Sequence, residues 1–404
     1  MTQICNVMTI SGIQKDFNLS DGLNEVIDGS ELLVVPGLID PHVHFRVPGM
    51  EHKEDWITGS KAAFYGGYTT VFDMPNTKPA TNTLERLNNK VELINSQINQ
   101  SGFPLNYKLF FGADKNNFHH IHQVKDKIAG IKVFMGSSTG DLLVDDESSL
   151  HAIYALAAKF NLIVALHAED ELIIRENSNK FLNETDFKYH SVIRSPLAAQ
   201  TAVKLVIQLS EIYNVTSYVL HVSTIGEIDL IQDAKSRGIK VFAETCPHYL
   251  FFDDTMYDKL QGRVKMNPPV RSTKDREYLW QAVNNGLIDT IASDHAPHTL
   301  VEKDAVLCKC PSGIPGIETT IPLLITAYKE GKLTLDRIIE LAYLNPKKIF
   351  SLPENDNLVF LNIKKFKLIE DKNLYTKVKW SPYTGMNLTG FPQYIYANNT
   401  LYTL

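Results

Sequence analysis

Several things that would tie a chain of 404 residues to a membrane, a nucleic acid or an oxidising compartment are missing from this one. Four cysteines are too few for a disulfide framework at this length. Cys308 and Cys310 stand as Cys-Lys-Cys with no second pair at zinc-finger spacing, so free thiols are expected there. The start, MTQICNVMTISG, lacks the charged and apolar regions of a signal peptide. No apolar run approaches the roughly 18 residues that span a bilayer. Forty Lys and Arg against forty-six Asp and Glu leave a net charge of −6 with no basic stripe, which excludes a polyanion-binding face. These absences predict a cytoplasmic protein with a small-molecule partner and neither nucleic acid nor membrane.

What is present is an alternation. From residue 32, short β-rich runs (LLVVPGLIDPHVHF, TTVFDMPNT, NYKLFFGA, GIKVFM, LIVALHAED, TSYVLHVST, IKVFAETCPHYL and DTIASDHAPH) are separated by amphipathic helical stretches such as LAAQTAVKLVIQLSEIY. Eight strand–helix units predict an α/β fold, a closed (β/α)8 barrel over residues 37–353. Beyond Pro353 the texture changes. NLVFLNIKKFKLIED, YTKVKWSPY and YIYANNTLYTL alternate apolar and polar residues like antiparallel strands. With the short, irregular N-terminal segment they predict a small β domain of residues 1–36 and 354–404.

In such a barrel the chemistry lies at the C-terminal ends of the strands. His42 and His44 end the first run, His167 the fifth, His221 the sixth and Asp294 the eighth. A second His-x-His, His120 and His122, falls in a polar stretch and reads as solvated surface. Residues two apart on a strand face the same way, so His42 and His44 project together. Four imidazoles and a carboxylate exceed what one tetrahedral zinc takes, which predicts two divalent metal ions close together. Lys132 lies among apolar residues in GIKVFMG, where an ammonium costs several kcal/mol unless paired or neutralised. Beside cations its pKa falls, and a neutral amine can add carbon dioxide. The resulting carbamate would bridge both metals.

These motifs, with GGYTTVFDMPNTKPAT, AETCPHYL, KMNPPVR and GIPGIETTIPLL, make residues 34–350 resemble the amidohydrolase superfamily, and within it the dihydroorotase family. The resemblance implies a binuclear zinc centre. His42, His44 and Asp294 would hold one ion, His167 and His221 the other, with carboxylated Lys132 between. In one branch of that family an aspartate of an F-S-D-D-G motif bridges instead. Here the stretch reads FMGSSTG, which favours the carbamate over Asp141 as a substitute.

The resemblance also gives Arg46, Asn76 and His298 the binding of a substrate carboxylate. Arg271 either touches substrate, with the backbone near Asn267, or makes an ion pair between domains. Asp294 would pass a proton from water to a leaving ring nitrogen during reversible opening of dihydroorotate. The GSSTG turn is a candidate lid, and Glu244 and His248 have no assigned role. A homodimer is a family expectation. The rival readings are a hydantoinase, dihydropyrimidinase or allantoinase, and a non-catalytic scaffold for aspartate transcarbamoylase.

Overall fold

The structure, a computed structural model, describes every residue except Gly22, Leu23 and Thr139. Eight strands form one parallel sheet in chain order: Leu38–Val43, Tyr68–Asp73, Asn106–Gly112, Gly130–Phe134, Val164–His167, Ser217–Val219, Val241–Thr245 and Thr290–Ile291. The sheet curls until its edges meet. A parallel bridge joins Val43 to His295, and His44 N donates to His295 O at 2.8 Å. Asp40 adds a side-chain stitch, its Oδ1 accepting from Ser293 N at 3.1 Å. The eighth strand is two residues long, so this stitch replaces ladder bonds that a longer strand would have made.

The intervening helices cover the barrel with apolar faces. Pro196–Tyr213 starts with proline in its first turn, where no amide is needed, and buries Ala199, Ala202, Val203, Val206 and Ile207 at helical spacing. Ile225–Ser236 begins with a reciprocal capping box between Thr224 and Glu227. Among the described residues no helix is long and apolar enough to cross a membrane.

A separate sheet gathers both chain ends. It contains Thr2–Met8, Gln14–Leu19, Val26–Asp28 and Leu32–Pro36 from the front, and Leu358–Asn362, Phe391–Ala397 and Thr400–Thr403 from the back. The halves join where Leu32–Pro36 runs antiparallel to Leu358–Asn362. The run LLVVPGLIDPHVHF therefore forms two strands, one for each sheet. Gly37 is the joint. A Cβ there would lie 2.3 Å from Thr69 Oγ1 and 2.7 Å from Asn357 Cβ, so only glycine lets the run pass between them.

YTKVKWSPY is not a strand. The backbone amides of Tyr375 and Thr376 donate to the Glu318 carboxylate at 2.7–2.9 Å, and Thr376 Oγ1 donates to Glu54 Oε2 at 2.6 Å. Trp380 is fully buried, and its Nε1 donates to His298 O at 2.7 Å. Its alternating pattern reflects side chains that grip the barrel rather than a pleat. Trp380→Ala should cost about 3–5 kcal/mol, the usual price of emptying a buried aromatic site. A fall in the urea midpoint checks this; an unchanged midpoint would mean that the segment is not anchored through Trp380.

Candidate metal centre and active site

The ring of candidate ligands closes as the strand ends dictate. His42 Nε2 and His44 Nε2 lie 3.3 and 3.2 Å from the same atom, Asp294 Oδ1. Across the barrel His167 Nδ1 lies 3.1 Å from His221 Nε2. Lys132, buried on the fourth strand, has its Nζ 4.5 Å from the centre of the Phe134 ring. All six residues line one cavity of about 370 Å³. Arg46, His221 and Asp294 have φ of +64°, +44° and +44°, left-handed values that non-glycine residues adopt at a cost of about 1–3 kcal/mol each. That backbone turn takes the chain out of the sheet and explains why the sixth and eighth strands stop short.

An outer layer sets which imidazole nitrogen is bare. His42 Nδ1 meets Glu244 Oε1 at 2.8 Å, His44 Nδ1 meets Asn76 Oδ1 at 2.8 Å, and His167 Nε2 meets Glu169 Oε2 at 2.8 Å. Amide oxygens and carboxylates accept, so His44 Nδ1 and His167 Nε2 donate and carry the proton, and His42 Nδ1 does so once Glu244, which burial raises to about 8, is ionised. The opposite nitrogen of each ring is then an unprotonated lone pair turned toward the cavity. Burial pulls His42 down to about 3 despite Asp294 beside it, so its ring is neutral at physiological pH. Neutral imidazoles with fixed tautomers, converging with a carboxylate, are the donor set that a divalent ion takes.

Lys132 is the sixth residue on the cavity. Burial lowers it from the usual 10.5 to about 7, against the pull of Asp294 and Glu244. Among the described residues it makes no ion pair. Asp141 is exposed and does not join the cluster.

Arg46 brings a cation to the cavity lining, with His298 and Lys53 stacked outside it. Arg46 is buried, donates through Nε to Pro297 O at 3.2 Å, and makes no ion pair with any carboxylate among the described residues. Its Nη2 lies 3.1 Å from His298 Nε2, while Lys53 Nζ lies 2.9 Å from His298 Nδ1. A neutral imidazole offers one lone pair, so it cannot accept from both cations. Burial, then Arg46 and Lys53, hold His298 well below its ordinary value. Lys53 has a carboxylate in Glu302 at 2.7 Å; Arg46 lacks one.

The other sequence expectations divide. Asn76 lines the cavity and also orients His44. Asn267 lines the cavity as well. Arg271 stands behind the ligands rather than in the cavity: its Nε donates to Ser223 Oγ at 3.1 Å and its Nη2 is 4.0 Å from Glu169 Oε1. Of the GSSTG turn, Ser138 reaches the cavity, whereas Thr139 lies outside the described residues. His119, His120 and His122 form no part of the site, and His122 is exposed. Sequence reasoning missed Glu169, Arg194 and Lys53. Arg194 pairs with Glu169 and donates to Ser137 O. Burial alone would raise the Glu169 carboxyl, but Arg194 and His167 hold it down at about 2. The acidic residue two places after His167 in LHAED was the available signal.

A parallel barrel with this rim is the framework of a metal-binding hydrolase. The chain belongs to the amidohydrolase family, whose sequence profile it matches over residues 33–355. It is 33% identical to a dihydroorotase of Methanosphaera stadtmanae over 405 residues, 96% of this chain and 90% of that protein. It is 34% identical to a dihydroorotase of Bacillus subtilis, covering 91% of this chain and 86% of that one. Among solved structures, the L-hydantoinase (dihydropyrimidinase) of Arthrobacter aurescens superposes with a TM-score of 0.91 at 25% identity, over 100% of this chain and 97% of that one. A D-hydantoinase of a Thermus species gives 0.87 at 24%, over 99% and 95%. The family generally uses a binuclear metal centre.

Arg194→Met leaves Glu169 charged, buried and short of its main partner. It should cost about 3–5 kcal/mol in urea unfolding. A loss below about 1 kcal/mol would show that the pair contributes little.

Proposed function

We propose that this protein is a dihydroorotase, opening L-dihydroorotate to N-carbamoyl-L-aspartate and closing it again in the direction of pyrimidine synthesis. The observation that carries this reading is Arg46, a buried guanidinium without a carboxylate partner on the cavity that holds the histidines and Asp294. Dihydroorotate bears a carboxylate beside its cyclic amide. Hydantoin and allantoin offer the ring without that charge, so they leave Arg46 unpaired. The substrate carboxylate would accept from Arg46, relieving the competition of Arg46 and Lys53 for one imidazole lone pair. Asn76 and His298 would fix its orientation. Arg271, behind the ligands, would steady Glu169 rather than touch substrate.

The barrel of residues 37–353 would carry the chemistry, with residues 1–36 and 354–404 as the supporting β domain. His42, His44 and Asp294 would hold one divalent ion, and His167 and His221 the other. Lys132 as its carbamate would offer an oxygen to each, and zinc suits this nitrogen and oxygen set. When bound, the two ions acidify water and polarise the ring carbonyl. Asp294 faces the cavity and would take the proton of the attacking water, then give it to the leaving ring nitrogen. The reverse sequence closes the ring. Glu244, Asn76 and Glu169 keep the imidazoles in the tautomers this requires. Six convergent candidate ligands also argue against a scaffold without chemistry.

Turnover of dihydroorotate, hydantoin and allantoin by the same preparation tests the assignment. Dihydroorotate should be strongly preferred, and Arg46→Ala should raise its KM roughly 10- to 100-fold, the worth of lost hydrogen bonds to a charge. Turnover of uncharged rings alone would overturn it in favour of a hydantoinase, which the structural likeness keeps as the second reading. The carbamate has its own signature. At fixed dissolved carbon dioxide, the metal-free protein should gain a carbon dioxide adduct on Lys132 as pH rises through about 7, where this amine becomes neutral. Native mass spectrometry under non-acidic conditions reads it. Formation only near the pKa of a free lysine would contradict the burial effect.

A further inference from the structure

Beside the ligand ring lies a second group of candidate metal-binding atoms, which adds Cys246 and His248, unused above, to Asp294. Cys246 ends the seventh strand's run, and His248 follows in the short helix Pro247–Phe251. One ligand atom each from Cys246, His248 and Asp294 lie within 4.8 Å of one another, and all three residues are buried. His248 is fully buried, yet neither ring nitrogen has a hydrogen-bond partner. An imidazole is rarely left with both nitrogens unsatisfied in a core, because each forgone bond costs about 1–3 kcal/mol. A neutral imidazole of either tautomer has one lone pair to give.

We infer that Cys246, His248 and Asp294 form a third metal position, specific for a thiophilic divalent cation such as Zn2+ or Cd2+. A thiolate, an imidazole and a carboxylate are three of the four ligands of a tetrahedral zinc ion, leaving one place for water. Such an ion sets its ligand atoms roughly 3.3–3.8 Å apart, so small side-chain rotations suffice to close the group. On binding, the thiol loses its proton to solvent and the sulfur–metal bond replaces the S–H bond, with no change in oxidation state. The ion would enter from the cavity past Asp294, the one member of the group that lines it.

Sharing Asp294 gives the position a regulatory consequence, which rests on the proton-transfer role proposed above. A third ion would engage the carboxylate and slow turnover, so excess metal inhibits. The site itself does not depend on that role, and the two are separable by experiment.

Co2+ is the probe. The six residues of the proposed binuclear centre include no sulfur, so a thiolate-to-cobalt charge-transfer band in the near ultraviolet reports on a cysteine alone. The full-length protein loaded with two equivalents of Zn2+ should develop this band as one further equivalent of Co2+ binds. A variant carrying Cys5→Ser, Cys308→Ser and Cys310→Ser should keep it, since only Cys246 remains. Cys246→Ser should lose it, bind two ions per chain by elemental analysis, and resist inhibition by excess metal. No band in the triple-serine variant at saturating Co2+ would overturn the site, whether or not Cys246→Ser folds. A band surviving in Cys246→Ser would overturn it equally. A band without inhibition would uphold the site and count against the role of Asp294.

Discussion

Charge at the dry mouth of the barrel must balance, and much of the site follows from that constraint. Four imidazoles, an amine and a guanidinium are packed with few anions in a place where water cannot screen them. Burial answers by stripping protons. His42 falls to about 3 and Lys132 to about 7, while Arg46 falls only to about 10 and stays charged. The groups that lose protons are left with lone pairs that a metal could take, and the one that keeps its proton is left as a buried cation.

The fixed tautomers depend on residues far away in the chain. Glu244 and His42 are 202 positions apart, and Asn76 and His44 are 32 apart. Closure of the barrel brings them together: Asn76 and His44 tie neighbouring strand ends, whereas Glu244 and His42 reach past the eighth strand. Tyr218 extends the tie by donating to Glu244 Oε2 at 2.8 Å.

How much of this could be read beforehand differs by kind of residue. His42, His44, His167, His221 and Asp294 were legible because each closes an apolar run, and a strand's end in a parallel barrel is a fixed place. Lys132 was legible because an amine in an apolar strand demands a reason. Glu169 was harder, since its contacts are with a histidine and an arginine rather than with the cavity, and the contact of Asn76 with His44 left no mark in the sequence. Arg271 could not be placed from sequence: whether it enters the cavity or backs Glu169 depends on loop geometry that leaves no periodic trace. YTKVKWSPY misled because alternation signals a strand only when the backbone has a neighbour to pair with. Glu318 and Glu54 took those amides instead.

The grip of that segment ties the end of the chain to residues just outside the cavity. Trp380 holds the carbonyl of His298, and Thr376 and His295 share the carboxylate of Glu54. These contacts join residues 82 and 322 positions apart. The segment braces His295 and His298 from outside and lines none of the cavity itself. A substitution in this segment would therefore be felt at the cavity only through the residues that the segment braces.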